Sequence, residues 1–360
     1  MKAIVHSRYS RYGPPDVLEL NDIDKPVVND DAVLVRVHAA AVGKGDWLTV
    51  RGLPYVARMR YGLPNPKHSV PGFDVAGRVE AAGSNVTQLQ QGDEVFGWCD
   101  GSFAEYASVP QGQLARKPTN LSFEQAAAVP ILGFAGLQAL RDTGAVQPGQ
   151  KVVIIGASGG VGSFAVQLAK AFGAEVTGVC STKSIDMVRS IGADHVIDYT
   201  QQDFTRSGQR YDLILEMAGN RSLADLRRAL TPKGTLVLVG GSGGKWFMGT
   251  GRTLRAVLVS PFVGQRLRSF LSKPRGADLV VLQKLLEAGK LTPVIDRTFP
   301  LSETAEAIRY VGERSPKGKP SSPCEQAAAQ TYGKENEHGE GPHRARRLAR
   351  RVHQWPERRP

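Results

Sequence analysis

The stretch KVVIIGASGGVGSFAVQLAK, residues 151–170, constrains the fold of this chain more than any other. Val152–Ile155 is a continuous apolar run, as expected of a strand buried on both faces. A glycine-rich turn follows directly: Gly156, Ala157, Ser158, Gly159, Gly160, Val161 and Gly162. Val161, Phe164, Ala165, Leu168, Ala169 and Phe172 then recur at helical spacing, and Gly173 is placed to end that helix. A strand that turns through glycines into a helix gathers free backbone N–H groups and the positive end of the helix dipole at one spot. The glycines let the backbone turn sharply and approach a pyrophosphate with no Cβ between them. A tight turn that holds nothing is the competing reading; the strand before it and the helix after it favour the cradle.

The second strand, Glu175–Cys180, tests which dinucleotide is held. NAD-selective sites place Asp or Glu near its end to accept from the ribose hydroxyls. Here Cys180 is followed by Ser181, Thr182 and Lys183. A carboxylate would repel a 2′-phosphate, whereas two hydroxyls and an ammonium would bind it. Tyr199, after the next strand, could cover the same phosphate. The expected cofactor is therefore NADPH (NADP), although Lys183 also fits a solvated lysine near a helix start. Cys180 reads as a small strand-end residue.

Around this unit the periodicity divides the chain. Ala32–Val42 alternates Val33, Val35 and Val37 with Leu34, Arg36 and His38, a period-two strand. Short apolar runs between turn signals follow, which suggests a barrel-like β domain. From Leu121 the style changes. LSFEQAAAVPILGFAGLQAL is helical apart from Pro130, and strand and helix patterns then alternate. His195–Asp198, Leu213–Met217 and Thr235–Val239 read as further strands. The alternation implies α/β architecture with a parallel, doubly wound sheet. After Gly244 the pattern weakens, until a helix at Ala277–Ala288 and a strand at Val294–Phe299 close the globular part.

The 360 residues are 41% hydrophobic and 22% charged, enough for two domains with real cores. Three cysteines, Cys99, Cys180 and Cys324, form neither a disulfide framework nor a Cys-x-x-Cys pair. With no apolar leader and no run long enough for a membrane span, a cytoplasmic location is expected. The net charge of +12 suits anionic cofactors as well as nucleic acid. Residues 320–360 are rich in Pro, Ser, Gly and Arg, with seven arginines between Arg344 and Arg359. Such a segment cannot bury enough apolar surface to offset its ordering entropy, so a disordered basic tail is expected.

PGFDVAGRVEAAGSNVTQLQQGDEVFG, GASGGVGSFAVQLAK and GADHVIDY together resemble the medium-chain dehydrogenase/reductase superfamily, closest to its zinc-independent, quinone-oxidoreductase-like branch. The resemblance implies a GroES-like β-barrel catalytic domain split between residues 1–125 and 290–319, with a Rossmann domain at 126–289. It implies cofactor contacts from Ala157 to Gly162, from Ser181, Thr182, Lys183 and Tyr199, and from Gly219 and Gly240. Zinc-dependent members use Cys, His and Cys or Asp as ligands. Those positions fall on or near Gly43, on Phe73, and near Ile131 or Leu132, so no metal is expected. His6, His38, His68 and His195 share no ligand spacing. Relatives usually end in a strand reading roughly Val-Val-Ile after Gly-Lys; here Gly318-Lys319 runs into Pro320, as a changed reading frame would produce, and a sheet strand would be lost.

Without a Lewis acid, alcohol oxidation is hard, because nothing lowers the hydroxyl pKa. Reduction of an electron-poor acceptor is easier. The resemblance therefore implies an NADPH-dependent reductase of quinones or α,β-unsaturated carbonyls, acting on a small-molecule acceptor and expected as a homodimer. Asp46 and Tyr55, in VGKGDWLTVRGLPY, are the catalytic candidates. Each has an alternative: Asp46 as a structural turn acid, Tyr55 as a packing aromatic. Two other functions compete. An enoyl-thioester reductase would need room for a pantetheine arm. An NADPH-responsive nucleic-acid binder is suggested by charge alone, with no recognition motif beside it.

Overall fold

The computed structural model describes residues 1–7, 12–219, 221–239, 250–313 and 327–331. Its central sheet has six parallel strands in the order His195–Asp198, Glu175–Cys180, Lys151–Ile155, Tyr211–Glu216, Leu230–Val239 and Arg266–Phe270. The chain enters at Lys151–Ile155, works outward to one edge, then returns to build the other half. The order reverses between Lys151–Ile155 and Tyr211–Glu216, the point at which sheets of this kind bind ligands beyond their strand ends. Val152, Val153 and Ile154 are fully buried, consistent with helices on both faces.

Two strands begin earlier than their apolar pattern suggests. Tyr211 pairs with Leu230 and Leu213 with Thr235, so the register shifts around Pro232. A proline is tolerated at such an irregularity because a ladder donor is already missing. The weakly patterned stretch after residue 249 forms the helix Thr250–Val259 and the edge strand Arg266–Phe270.

The second large sheet has seven strands. Its path runs Ile295–Pro300, Ala327–Thr331, Ala32–Val42, Asp74–Ala82, Glu94–Trp98 and Leu114–Arg116, and Tyr106–Pro110 also pairs with Ala32–Val42. Lys2–His6 and Leu18–Asp22 form a separate two-stranded ribbon. Ala327–Thr331 corrects one expectation, because it lies inside the segment read as an unstructured tail. It pairs with Ile295–Pro300 on one side and with Ala39–Val42 on the other. Strand pairing uses backbone groups, so a short alanine-rich segment can fill this slot without the family's apolar ending. The arginine block lies outside the described residues.

The two sheets meet along the helix Pro130–Gln138. Trp98 sets its ring edge-on to Phe134, with centroids 5.1 Å apart. Asp74 Oδ1 accepts the Ile131 N–H at 2.9 Å, at the first turn of that helix. At Gly136 an added Cβ would come within 3.2 Å of Leu168, so this helix packs closely on Gly160–Ala171. Among the described residues no helix is long and apolar enough to cross a membrane.

Candidate cofactor and acceptor site

The glycine turn stands where the sheet order reverses. Gly156 and Ala157 both donate their N–H to the Val179 carbonyl, at 3.0 and 3.1 Å, which pins the start of the turn to the next strand. Ala157 therefore anchors the turn, and its donor is committed. The Gly159 N–H is given to the Gly156 carbonyl at 3.0 Å, so the turn also closes on itself; beyond it, next to buried Ser158, the first-turn N–H groups of Gly160, Val161 and Gly162 stand at the helix start. First-turn N–H groups have no carbonyl within their own helix to bond.

Two glycines have separable roles. A Cβ on Gly162 would lie 2.0 Å from the Gly156 carbonyl oxygen, so the turn closes against the helix only if that position is bare. A Cβ on Gly159 would meet only the Gly156 oxygen, at 3.3 Å. The space above Gly159 is open to a ligand, while that above Gly162 is filled by the turn itself. A cradle of this shape, at a helix start and a sheet reversal, fits the pyrophosphate of a dinucleotide.

The far end of the candidate site is built by three adjacent segments. The Tyr199 N–H donates to the Cys180 carbonyl at 3.0 Å, which brings half-buried Tyr199 alongside Ser181. Lys183 is exposed. The Thr182 hydroxyl donates to Asp198 Oδ2 at 2.5 Å and lies 3.2 Å from the Thr200 hydroxyl. The sequence reading missed Asp198, although Asp-x-Thr is a turn signal in which an acid caps the residue two ahead. Thr200 donates to Asp198 in that way, through its N–H at 2.9 Å and its hydroxyl at 2.7 Å. Hydrogen bonding from Thr182 first, and from Thr200, holds the Asp198 carboxyl below the usual range. Across the reversal point, Gly219 gives its N–H to buried Glu216 at 2.7 Å. Gly240 lies outside the described residues.

The two catalytic candidates sit in different settings. Asp46 belongs to the helix Lys44–Val50, and its Oδ2 accepts the Gly43 N–H at 2.8 Å. The turn-acid role is thus real. The carboxyl is only 3% exposed, and burial pushes its pKa up to about 7. Asp74, also buried, is pushed up by desolvation and further by the charge of Asp46. Tyr55 opens a short turn, and the Arg58 guanidinium stacks over its ring at 4.6 Å. Arg58 lies at the same distance from Tyr12, and its Nε donates to the Gly52 carbonyl at 2.9 Å. Asp46 lines a small cavity with His6, Thr49, Tyr61, His68 and Asp100; Tyr55 is not part of that wall. His6 and His68, far apart in sequence, therefore share one cavity.

Comparison with known proteins places these features. The alcohol dehydrogenase GroES-like domain family matches residues 29–119, and the zinc-binding dehydrogenase family matches residues 191–320. The NADPH-dependent alkenal/one oxidoreductase of Arabidopsis thaliana chloroplasts is 35% identical, over 89% of this chain and 78% of its own length. The chain belongs to the medium-chain dehydrogenase/reductase superfamily, in its quinone-oxidoreductase-like branch. Human quinone oxidoreductase is 33% identical over 83% of this chain and 91% of its own length. The quinone oxidoreductase from Coxiella burnetii superposes with a TM-score of 0.75 at 28% identity, covering 92% of this chain and 99% of that one. In this superfamily frame, the seven-stranded sheet is the GroES-like part and the parallel sheet is the Rossmann part.

Proposed function

We propose that the protein is an NADPH-dependent reductase of quinones or α,β-unsaturated carbonyls that works without a metal. The observation that carries this reading is the bare cradle above Gly159, followed at the second strand end by Ser181 and Lys183 rather than a carboxylate. The 2′-phosphate contact would rest on Ser181 and Lys183, with Tyr199 beside them, because the Thr182 hydroxyl is committed to Asp198. Bound there, a reduced nicotinamide supplies hydride to an electron-poor carbon. The chain's own contribution is to orient the acceptor, exclude water and deliver a proton, with Tyr55 and Asp46 as the candidate donors.

Three things support a metal-free mechanism. Gly43, Phe73 and Leu132 stand where zinc ligands fall in zinc-dependent relatives, and none can coordinate. Asp74 faces Ile131 instead. Among the described residues no three His, Cys, Asp or Glu side chains group as a metal site would require. The domain limits proposed with it are 1–125 with 290–319, and 126–289; Ile295–Pro300 in the seven-stranded sheet supports the split, and Ala327–Thr331 carries that sheet beyond residue 319. A homodimer and a reducing, cytoplasmic setting complete the reading, the latter supported by the buried free thiols of Cys99 and Cys180.

The test is a pair of dissociation constants, for NADPH and NADH, with wild type and Lys183→Ala. NADPH should bind more tightly, and the lysine should contribute about 1.5–3 kcal/mol to the difference. Equal affinities in the wild type would sink the cofactor assignment. A screen of quinones, enones and enoyl thioesters at saturating NADPH, before and after prolonged chelation, identifies the acceptor. It also tests independence from metal.

A further inference from the structure

The cavity beside Asp46 has polar atoms on two of its walls that nothing among the described residues satisfies. One is Asp46 Oδ1, which is buried and without a hydrogen-bond partner, while Oδ2 of the same carboxyl is held by Gly43. The other is His6 Nδ1, at the end of the strand Lys2–His6. The backbone N–H of His6 is already given to the Ser69 carbonyl at 3.0 Å, so strand and ring have separate duties. Orphan polar atoms in a protein interior each cost roughly 1–3 kcal/mol, and two lining one cavity call for a common partner. The free space is about 30 Å³, the room of one water molecule and far less than a substrate needs.

The surroundings give the cavity a direction. On the solvent side stand His68 and Asp100, both exposed, with His68 Nε2 3.8 Å from Asp100 Oδ2. On the inner side Asp46 is electrostatically coupled to Asp74, which reaches the helix that packs on the glycine turn. Other charges are turned elsewhere. The Lys44 ammonium lies over the Trp47 ring at 4.1 Å. Glu105 Oε2 accepts the backbone N–H of Lys2 at 2.7 Å. On the packing helix Thr304–Glu313, Arg309 pairs with Glu306 and Asp16, Tyr310 bonds Asp296, and the core contribution is Ile308 and Val311.

We propose that this cavity holds one water molecule bridging His6 Nδ1 and Asp46 Oδ1, and that the bridge is the proton inlet of the acceptor site. The inference rests on the reductase reading. A quinone or enone that gains hydride takes up two electrons with one hydrogen nucleus and is left as an oxyanion. One proton completes the product. Asp46 releases its carboxyl proton inward and becomes a carboxylate. The water protonates Oδ1 and is made good through His6 from solvent at the His68–Asp100 edge. One proton leaves solvent, one reaches the product, and the protein returns to its starting charge. A neutral Asp46 near neutral pH, with burial holding the His6 imidazole neutral too, suits such a relay.

The first readout does not need the reaction. Infrared difference spectra of the whole protein, with Asp46→Asn as the assignment control, report the Asp46 carboxyl band through a pH titration. In His6→Gln the band should change frequency, and its midpoint should move by about half a pH or more, as loss of a hydrogen-bonded partner requires. NADPH affinity should be unchanged, while the solvent isotope effect on acceptor reduction should rise about twofold as proton delivery becomes limiting. A folded His6→Gln with unchanged band, midpoint and isotope effect overturns the inlet. If that variant does not fold, a high-resolution crystal structure of the wild type decides. Water within hydrogen-bond distance of both atoms supports the proposal, and a dry cavity overturns it. Wild type that oxidises NADPH with no acceptor breaks the reductase reading and the inlet with it. Normal turnover with an insensitive His6→Gln breaks the inlet alone.

Discussion

The glycine turn and the Asp46 helix are both short segments next to bare glycines, yet they are built on opposite principles. The turn makes its site from backbone. Gly156, Ala157 and Gly162 are tied to neighbours within the same strand–turn–helix unit, apart from one carbonyl of the next strand. The helix Lys44–Val50 makes its site from side chains, and their partners come from across the chain: His6, Asp74, His68 and Asp100. A backbone site tolerates almost any side chain that stays out of the way. A side-chain site depends on the partners that distant elements bring.

Within the turn the two glycines separate binding from folding. Gly159→Val should abolish NADPH binding while leaving the melting temperature close to wild type, because its Cβ meets only one oxygen at 3.3 Å. Gly162→Ala should do the reverse in order of cause. Its Cβ would press on a carbonyl oxygen at 2.0 Å, and overpacking of that kind costs about 1–3 kcal/mol or more, so stability falls first and binding with it. Calorimetry and fluorescence titration of the pair separate the two. Native NADPH affinity in Gly159→Val would leave the turn a structural device only.

The Asp46 side of the comparison predicts a pH signature. Its carboxyl titrates near 7 when folded and in the ordinary carboxylate range when unfolded. Between those values the folded state holds more protons, so this group's contribution to stability is full at low pH and is lost as pH rises toward 7. Buried Asp74 acts in the same sense. His6, pushed down by burial, acts in the opposite sense and loses its contribution as pH falls below the ordinary histidine value. Asp46→Asn should therefore gain on wild type by about 4 kcal/mol between pH 4 and pH 8 in denaturant titrations. A pH-independent difference would mean that the carboxyl is solvated.

Tyr55 sharpens the contrast at smaller amplitude. Tyr55→Phe removes a hydroxyl and keeps the ring that Arg58 stacks upon. Turnover on the best acceptor should fall about 10²-fold with NADPH affinity unchanged, if that hydroxyl protonates or polarises the acceptor. Unaltered turnover would reduce Tyr55 to a stacking platform for Arg58 and leave Asp46 as the donor.

Whether a residue's partners are local or distant also governs what the sequence makes visible. The parallel sheet was legible at Lys151–Ile155, Glu175–Cys180 and His195–Asp198, because buried parallel strands are apolar runs and glycine turns punctuate them. Leu230–Val239 was only half legible, since Thr231, Pro232, Lys233 and Gly234 carry no apolar signal and lie where the register shifts between Leu230 and Thr235. In the site, the glycines announced themselves because their role is local. The Thr182–Asp198 bond, the Asp74–Ile131 cap and the cavity shared by His6 and His68 did not. Each joins residues whose separation along the chain hides them from any local pattern.

The helix Lys44–Val50 packs against Thr304–Glu313, with the Trp47 indole pressed on Gly312 and Val50 in the same core as Ile308 and Val311. A helix this short is not stable by itself. While the chain is being synthesised, therefore, the segment that carries Asp46 must wait for its support until nearly everything else has left the ribosome. The cofactor cradle can form from a nascent chain that ends shortly after its own sheet, but the acceptor side cannot. A chain stopped before Thr304 should thus emerge as a dinucleotide binder with no working chemistry, and supplying the missing C-terminal segment as a separate peptide is the direct way to ask whether the two halves of the site mature one after the other.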